Sequence, residues 1–229
     1  MAGAVLVDGS VATRPAQSVS DDTAIELVAH RPEYVSRGAL KLEKALDVWT
    51  IDPAGKVALD VGASTGGFTD ILLKRGASRV YAVDVGYGQL HYKLRGDPRV
   101  VAMERTNIRH LAELPERADL AAVDVSFISL RLALPPVFNL VKAEGEIVAL
   151  IKPQFEAGRG QVGRGGVVRD PAVREQVVRE LRAWSQTQPW HLSDITESPI
   201  KGPAGNVEFL SRWTPAGIIT GSAEPAHDP

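Results

Sequence analysis

From residue 57 onward, short apolar runs alternate with amphipathic stretches, and that alternation is the clearest signal in the chain. Val57-Ala-Leu-Asp-Val61 reads as a buried strand, 67–75 as a helix, 79–84 as a second strand and 99–103 as a short third. Residues 119–124 follow as a strand, 130–141 as a helix and 146–151 as a strand. Pro171 opens a helix reaching residue 186, and strands at 190–197 and 206–213 end the pattern. Upstream, Ser36 is placed to cap a helix through Asp47, with Leu40, Ala45 and Leu46 along one face. Such an alternation predicts an α/β fold, an open and mostly parallel sheet with helices on both faces. Ligands bind such sheets at the carboxyl ends of the strands.

The two ends of the chain differ from this body. Residues 1–31 are short and acidic: Val5-Leu-Val-Asp-Gly9 reads as a strand entering an Asp-Gly turn, and 19–28 offers a second strand beginning near Asp21-Asp22. From Thr214 onward, Pro215, Gly217, Gly221, Pro225 and Pro229 make a polar tail. The expected division is therefore 1–31, 32–213 and 214–229.

Composition narrows the chemistry. The 229 residues are 44% hydrophobic and 24% charged, ordinary for a globular domain. No cysteine is present, which excludes disulfides and thiolate metal sites and makes a reducing cytoplasm the expected location. No basic leader precedes Asp8, and no apolar run approaches the roughly 18 residues of a membrane span, so neither export nor membrane crossing is expected. The net charge of −2 gives nucleic-acid binding no bulk support; that reading needs a local patch. His30, His91, His110, His191 and His227 show no ligand spacing, so no metal site is expected. Trp49, Trp184, Trp190 and Trp213 read as packing residues rather than base-stacking platforms.

The first strand of the body ends in Asp60-Val-Gly62-Ala-Ser-Thr-Gly66-Gly67-Phe-Thr69, a glycine-bearing turn leading into a helix N-terminus. Phe68 and Thr69 stand where a P-loop would carry Lys and Ser/Thr, which disfavours ATP hydrolysis. The spacing of Gly62, Gly66 and Gly67 is not the dinucleotide pattern either. An acidic residue before a D-x-G-x-x-x-G loop suits a cofactor with an ammonium and carboxylate tail, such as S-adenosylmethionine. Asp84, ending the second strand, is placed to accept both ribose hydroxyls of a nucleoside. Four further ionisable residues can converge at the strand ends: Lys41, Asp124, Lys152 and Glu208. Two lysines held close disfavour each other's charge, which lets one act as a general base. Spacing alone does not select these four.

Longer motifs do. Tyr34-Val-Ser-Arg-Gly-Ala-Leu-Lys-Leu42, the 60–70 loop, Tyr81-Ala-Val-Asp-Val-Gly-Tyr-Gly-Gln-Leu90, Glu104-Arg-Thr-Asn-Ile-Arg109, Val123-Asp-Val-Ser-Phe-Ile-Ser129 and Ile151-Lys-Pro-Gln-Phe-Glu-Ala-Gly158 closely resemble the TlyA family. This family belongs to the FtsJ-like ribose 2′-O-methyltransferases and is also labelled haemolysin A. The resemblance continues through Gly165-Gly-Val-Val-Arg-Asp-Pro171 to Gly202-Pro-Ala-Gly-Asn-Val-Glu208, and covers residues 30–213. It implies a Rossmann-like class I S-adenosylmethionine-dependent methyltransferase acting on ribosomal RNA or ribosomal subunits, at cytidine. It places the catalytic Lys-Asp-Lys-Glu tetrad on Lys41, Asp124, Lys152 and Glu208. Cofactor contacts are expected from Asp60, Gly62, Ala63, Ser64, Thr65, Gly66, Gly67, Phe68, Thr69, Asp84, Val85, Asn107 and Asp124.

RNA contacts are expected from Arg37, Phe127, Phe155, Arg159, Arg164 and Arg169. Phe127 and Phe155 each follow a motif residue and suit base stacking. Residues 152–169 carry Lys152, Arg159, Arg164 and Arg169 against Glu156 alone, flexible cations that suit a phosphate backbone. The N-terminal piece resembles the second half of an S4 RNA-binding domain at Val5–Gly9, Pro15, Val19 and Asp21-Asp22. The two leading S4 helices have no counterpart before Met1; either the chain starts downstream of the natural beginning or this member lacks that grip. Two alternatives remain at this level. One is a methyltransferase of the same fold acting on a small molecule, and the other is a membrane-active haemolysin, which the lack of a basic amphipathic helix disfavours.

Overall fold

The structure is a computed structural model and describes residues 5–11, 18–20, 22–27 and 34–217. The chain divides into two units, Met1–Glu33 and Tyr34–Pro229.

In the first unit β1 (Val5–Val7), β2 (Ser10–Val11) and β3 (Ile25–Leu27) form an antiparallel sheet in the order β2-β1-β3. Asp8 and Gly9 take φ of 50° and 76°, the left-handed pair that a two-residue hairpin turn demands. The Asp8 carboxylate also accepts from Ala24 N–H at 3.0 Å. The expected second strand is thus much shorter than 19–28; Pro15, Asp21 and Val28 lie outside the described residues.

The second unit holds α1 (Ala39–Val48), β4 (Val57–Val61), α2 (Gly67–Lys74), β5 (Arg79–Val83), α3 (Tyr92–Arg95) and β6 (Val100–Met103). Then come β7 (Ala118–Val123), α4 (Leu130–Leu140), β8 (Val141–Ile151), α5 (Pro153–Glu156), α6 (Pro171–Ser185), β9 (Trp190–Glu197) and β10 (Phe209–Pro215). Seven strands form one sheet in the order β6-β5-β4-β7-β8-β10-β9. β4 to β8 pair in parallel, and β10 enters antiparallel between β8 and β9.

The two faces of the sheet read off the alternation in β4. Ala58 packs with Leu42 and Leu46 of α1 and Ile71 and Leu72 of α2. Leu59 and Val61 pack on the opposite face with Leu134 and Val137 of α4 and Leu181 of α6. Burial on both faces explains why β4, β5 and β7 are short, mostly apolar runs, while the edge strand β6 is partly exposed. Trp49, Trp190 and Trp213 are buried, and Trp184 stacks on Phe138, so the tryptophans serve packing as expected. Among the described residues, no helix is long and apolar enough to cross a membrane.

Three expected boundaries change. Ser36 does not cap the helix proper: α1 begins at Ala39 after Gly38, while Ser36 Oγ accepts from Gly38 N–H at 3.2 Å and its carbonyl accepts from Ala39 N–H. β8 begins at Val141, directly after α4, because Val141 pairs with Ala118 and Lys142 bridges to Asp119 at 2.6 Å. β10 begins at Phe209, so Glu208 precedes the last strand rather than lying in it.

Candidate active site

The loop after β4 is shaped by close backbone approach. A Cβ on Gly62 (φ +84°) would sit 2.4 Å from the Asp124 carbonyl, so only glycine lets this loop rest on the end of β7. Beneath the loop, Thr69 Oγ1 donates to Asp60 Oδ2 at 2.6 Å. Asp60 is wholly buried, and its Oδ1 has no partner among the described residues. Burial, with smaller contributions from Asp124 and Asp84, pushes its pKa up to about 7 against the opposing Thr69 hydrogen bond. At the end of β5, Asp84 Oδ2 accepts from Ser64 N–H and Oδ1 from Gly86 N–H, both at 2.7 Å. One carboxylate thereby joins the two strand-end loops.

Two cavities open at these strand ends. The first, about 490 Å³, is lined by Gly62, Ser64, Asp84, Val85, Asn107 and Asp124 of the expected cofactor residues, together with Phe127. The second, about 350 Å³, is lined by Gly62, Ala63, Ser64, Thr65, Gly67, Phe68 and Asp124, and by Arg37, Lys41 and Lys152. Asp60, Gly66 and Thr69 line neither. Asp60 and Thr69 support the loop from below, and Gly66 packs where a Cβ would meet Leu94 at 2.2 Å. Sequence reasoning missed Ser126, on both walls, and Lys201, on the second. Ser126 lay inside the quoted 123–129 motif, and Lys201 adjoins the 202–208 one.

Lys41, Asp124, Lys152 and Glu208 converge. Lys41 Nζ lies 2.7 Å from Glu208 Oε2 and 3.8 Å from Asp124 Oδ2, and Lys152 Nζ lies 2.6 Å from Asp124 Oδ1. Lys152 also donates to Ser126 Oγ at 2.9 Å. Lys41, Lys152 and Glu208 are buried, and Glu208 Oε1 has no hydrogen-bond partner among the described residues. The lysines therefore meet across the Asp124 carboxylate. Two cations and two carboxylates make the cluster formally neutral. The second cavity nevertheless shows four cations, Arg37, Lys41, Lys152 and Lys201, against the single carboxylate of Asp124.

Phe127, with φ 64°, is 90% exposed, and its ring centroid lies 5.1 Å from that of Phe155. Glu156 fixes this pair of segments: its carboxylate accepts from the Ser129 hydroxyl at 2.6 Å and from Leu130 N–H at 2.7 Å. Burial pushes the Glu156 pKa up, while those two hydrogen bonds oppose the shift. Arg164 and Arg169 are exposed and line neither cavity; the side chain of Arg159 lies outside the described residues.

Comparison with known proteins gives this geometry a context. The profile of the FtsJ-like methyltransferase family matches residues 34–213. The 16S/23S rRNA (cytidine-2′-O)-methyltransferase TlyA of Mycobacterium tuberculosis is 51% identical over 214 residues, 91% of this chain and 79% of that protein. Hemolysin A of Brachyspira hyodysenteriae is 44% identical over 218 residues, 93% of this chain and 90% of that one. A solved structure from Streptococcus thermophilus, 43% identical, superposes with a TM-score of 0.81 over 93% of this chain and 79% of that chain. Methyltransferase structures of much lower identity share the fold.

Proposed function

The chain belongs to the FtsJ-like methyltransferase family, and we propose that it is an S-adenosylmethionine-dependent 2′-O-methyltransferase of ribosomal RNA acting at cytidine. The observation that carries this reading is the meeting of Lys41, Asp124, Lys152 and Glu208 around Asp124, which lines both cavities. The name of the Mycobacterium tuberculosis relative supplies the substrate class. The cation-rich second cavity fits a polyanion better than a neutral metabolite. With rRNA as its substrate, the enzyme works in the cytoplasm.

The donor set fits the cofactor. Asp84, held by two backbone N–H groups, suits the ribose hydroxyls, and Val85, Ile108, Phe127 and Ile128 supply apolar walls for a base. Asn107 lies on the same wall, and Gly62 to Thr65 bridge to the second cavity. When bound, S-adenosylmethionine supplies a methyl group already activated by its sulfonium. Lys152, as the free amine, accepts the proton of the ribose 2′-hydroxyl while Asp124 holds its Nζ. Lys41, anchored by Glu208, places a positive charge where the attacking oxygen becomes negative. Alignment of the hydroxyl with the methyl group supplies most of the acceleration. Arg37 lines the cavity that would receive the nucleotide, and Phe127 with Phe155 offers an exposed aromatic surface to a base.

Lys152→Ala should abolish methyl transfer to rRNA and leave cofactor affinity intact, with methyl incorporation followed by radiolabel and binding by calorimetry. Lys152→Arg should fail as well, because a guanidinium stays protonated. Near-normal turnover in either variant would sink the mechanism. Methylation of a small molecule from a metabolite extract, with no rRNA product, would replace the substrate assignment.

A further inference from the structure

Lys152 leaves the end of β8 with two contacts at its Nζ, an ion pair with Asp124 Oδ1 at 2.6 Å that lacks hydrogen-bond alignment and a hydrogen bond donated to Ser126 Oγ at 2.9 Å. The first belongs to the four residues already described. The second has no assigned role. Ser126 lies two positions beyond Asp124 in the loop after β7, and it is exposed although the lysine it holds is 8% exposed. Among the described residues, Gly62, Ser64, Asp124 and Ser126 are the ones common to the walls of both cavities. Ser126 therefore stands where a group bound in one cavity meets a group bound in the other.

On the reading of Lys152 as the base, we propose that Ser126 is the positioning residue that aims it. A free amine carries two N–H bonds and one lone pair in a tetrahedral array. With one N–H given to Ser126 and the Asp124 carboxylate drawing the nitrogen to its other side by charge, the lone pair is turned toward the side left open. Lys152 lines the second cavity, so that direction is available to a substrate hydroxyl there. The 2′-O–H bond then breaks as its proton passes to the lone pair, and the oxygen forms its bond to the methyl carbon. The bond from that carbon to sulfur breaks with its electron pair left on sulfur. Lys152 ends the step as an ammonium, its third N–H lying where the lone pair was.

Asp124 alone cannot impose this. Its contact is an ion pair without hydrogen-bond alignment, which leaves rotation about the Cε–Nζ bond free, so without Ser126 the lone pair would visit the position Ser126 vacates as well as the productive one. A misaimed proton acceptor costs rate without weakening the binding of either substrate.

The test compares Ser126→Ala and Ser126→Thr with the unaltered enzyme, using rRNA as acceptor and S-adenosylmethionine as donor, with Lys152→Ala run alongside. Ser126→Ala should lower kcat by about tenfold, with the KM for RNA, cofactor affinity and melting temperature unchanged. Ser126→Thr keeps the Oγ acceptor and should restore kcat to within about threefold. The inference is overturned if kcat in Ser126→Ala stays near normal, or if the loss lies in KM or cofactor affinity. It is equally overturned if a folded Ser126→Thr is as slow as Ser126→Ala. Turnover by Lys152→Ala would instead remove the underlying base assignment, whereas an inactive Lys152→Ala beside a fully active Ser126→Ala removes the role of Ser126 alone.

Discussion

Replacing Lys41 by Met should destabilise the chain far more than the loss of an exposed ion pair, because of the group it strands. Glu208 is 1% exposed, its Oε2 holds Lys41 Nζ at 2.7 Å, and its Oε1 has no hydrogen-bond partner among the described residues. On its Gly202 side even a Cβ would lie 2.4 Å from Oε1, which leaves no space there for water. Removing one partner of a buried pair costs about 3–5 kcal/mol, against about 0–1 kcal/mol for an exposed one. Asp124 is not stranded in the same way, since it keeps Lys152 at 2.6 Å. Combining Lys41→Met with Glu208→Leu removes both charges and should recover most of the stability, because apolar replacements of similar volume are often neutral. Activity should stay absent in the single and the double variant alike. Urea unfolding followed by the fluorescence of the buried tryptophans gives the three free energies. A cost below about 1 kcal/mol for Lys41→Met, or a double variant less stable than the single, would refute the reasoning.

Asp84→Ala should weaken S-adenosylmethionine binding by about 1.5–3 kcal/mol, the loss of a charge-assisted acceptor, and calorimetry showing unchanged affinity in a folded variant would remove Asp84 from the site. Asp60 should make stability fall with pH: its pKa is about 7 in the folded chain against an ordinary 3.8, so the folded state binds more protons across that window. The contribution is complete below pH 3.8, is lost as pH rises to about 7, and amounts to about 4 kcal/mol; Asp60→Asn should flatten the slope in unfolding measured from pH 4 to 8. Neutralising Arg159 and Arg164 together should reduce the slope of log affinity against log salt for rRNA by about 0.7–0.9 for each phosphate that no longer meets a cation, and an unchanged slope would place the RNA surface elsewhere.

The parallel core was legible because burial on both faces writes β4, β5 and β7 as short, mostly apolar runs. Short elements fixed by polar contacts were not. α3 is four residues long and begins where the His91 ring accepts from Lys93 N–H, so it has no periodicity to read. Asn206 looked like strand because apolar residues follow it. Its side chain instead accepts from Val168 N–H and donates to the Gly166 carbonyl, tying the turn before β10 to the 163–168 segment. Such contacts join positions 38 and 40 residues apart and leave no local pattern.

The same contrast divides the candidate site. Gly62, Asp84, Asp124 and Lys152 each follow directly on a parallel strand, ending at Val61, Val83, Val123 and Ile151. The rule that ligands gather at carboxyl strand ends reaches all four from the hydrophobic pattern alone. Glu208 obeys a different geometry. Because β10 is antiparallel and pairs Phe209 with Ile151, the residue before its first position is brought beside the residue after the last position of β8. That places Glu208 at the same end of the sheet as Lys152, although it enters its strand rather than leaving one. Lys41 comes from α1, 167 residues away from the carboxylate it holds. Finding Lys41 and Glu208 required either the orientation of one strand, which periodicity does not encode, or the resemblance of the 34–42 and 202–208 motifs to a known family. The charge pattern of the cluster then follows from the topology: strand ends supply Asp124 and Lys152, and the reversed strand and the first helix supply the buried pair behind them.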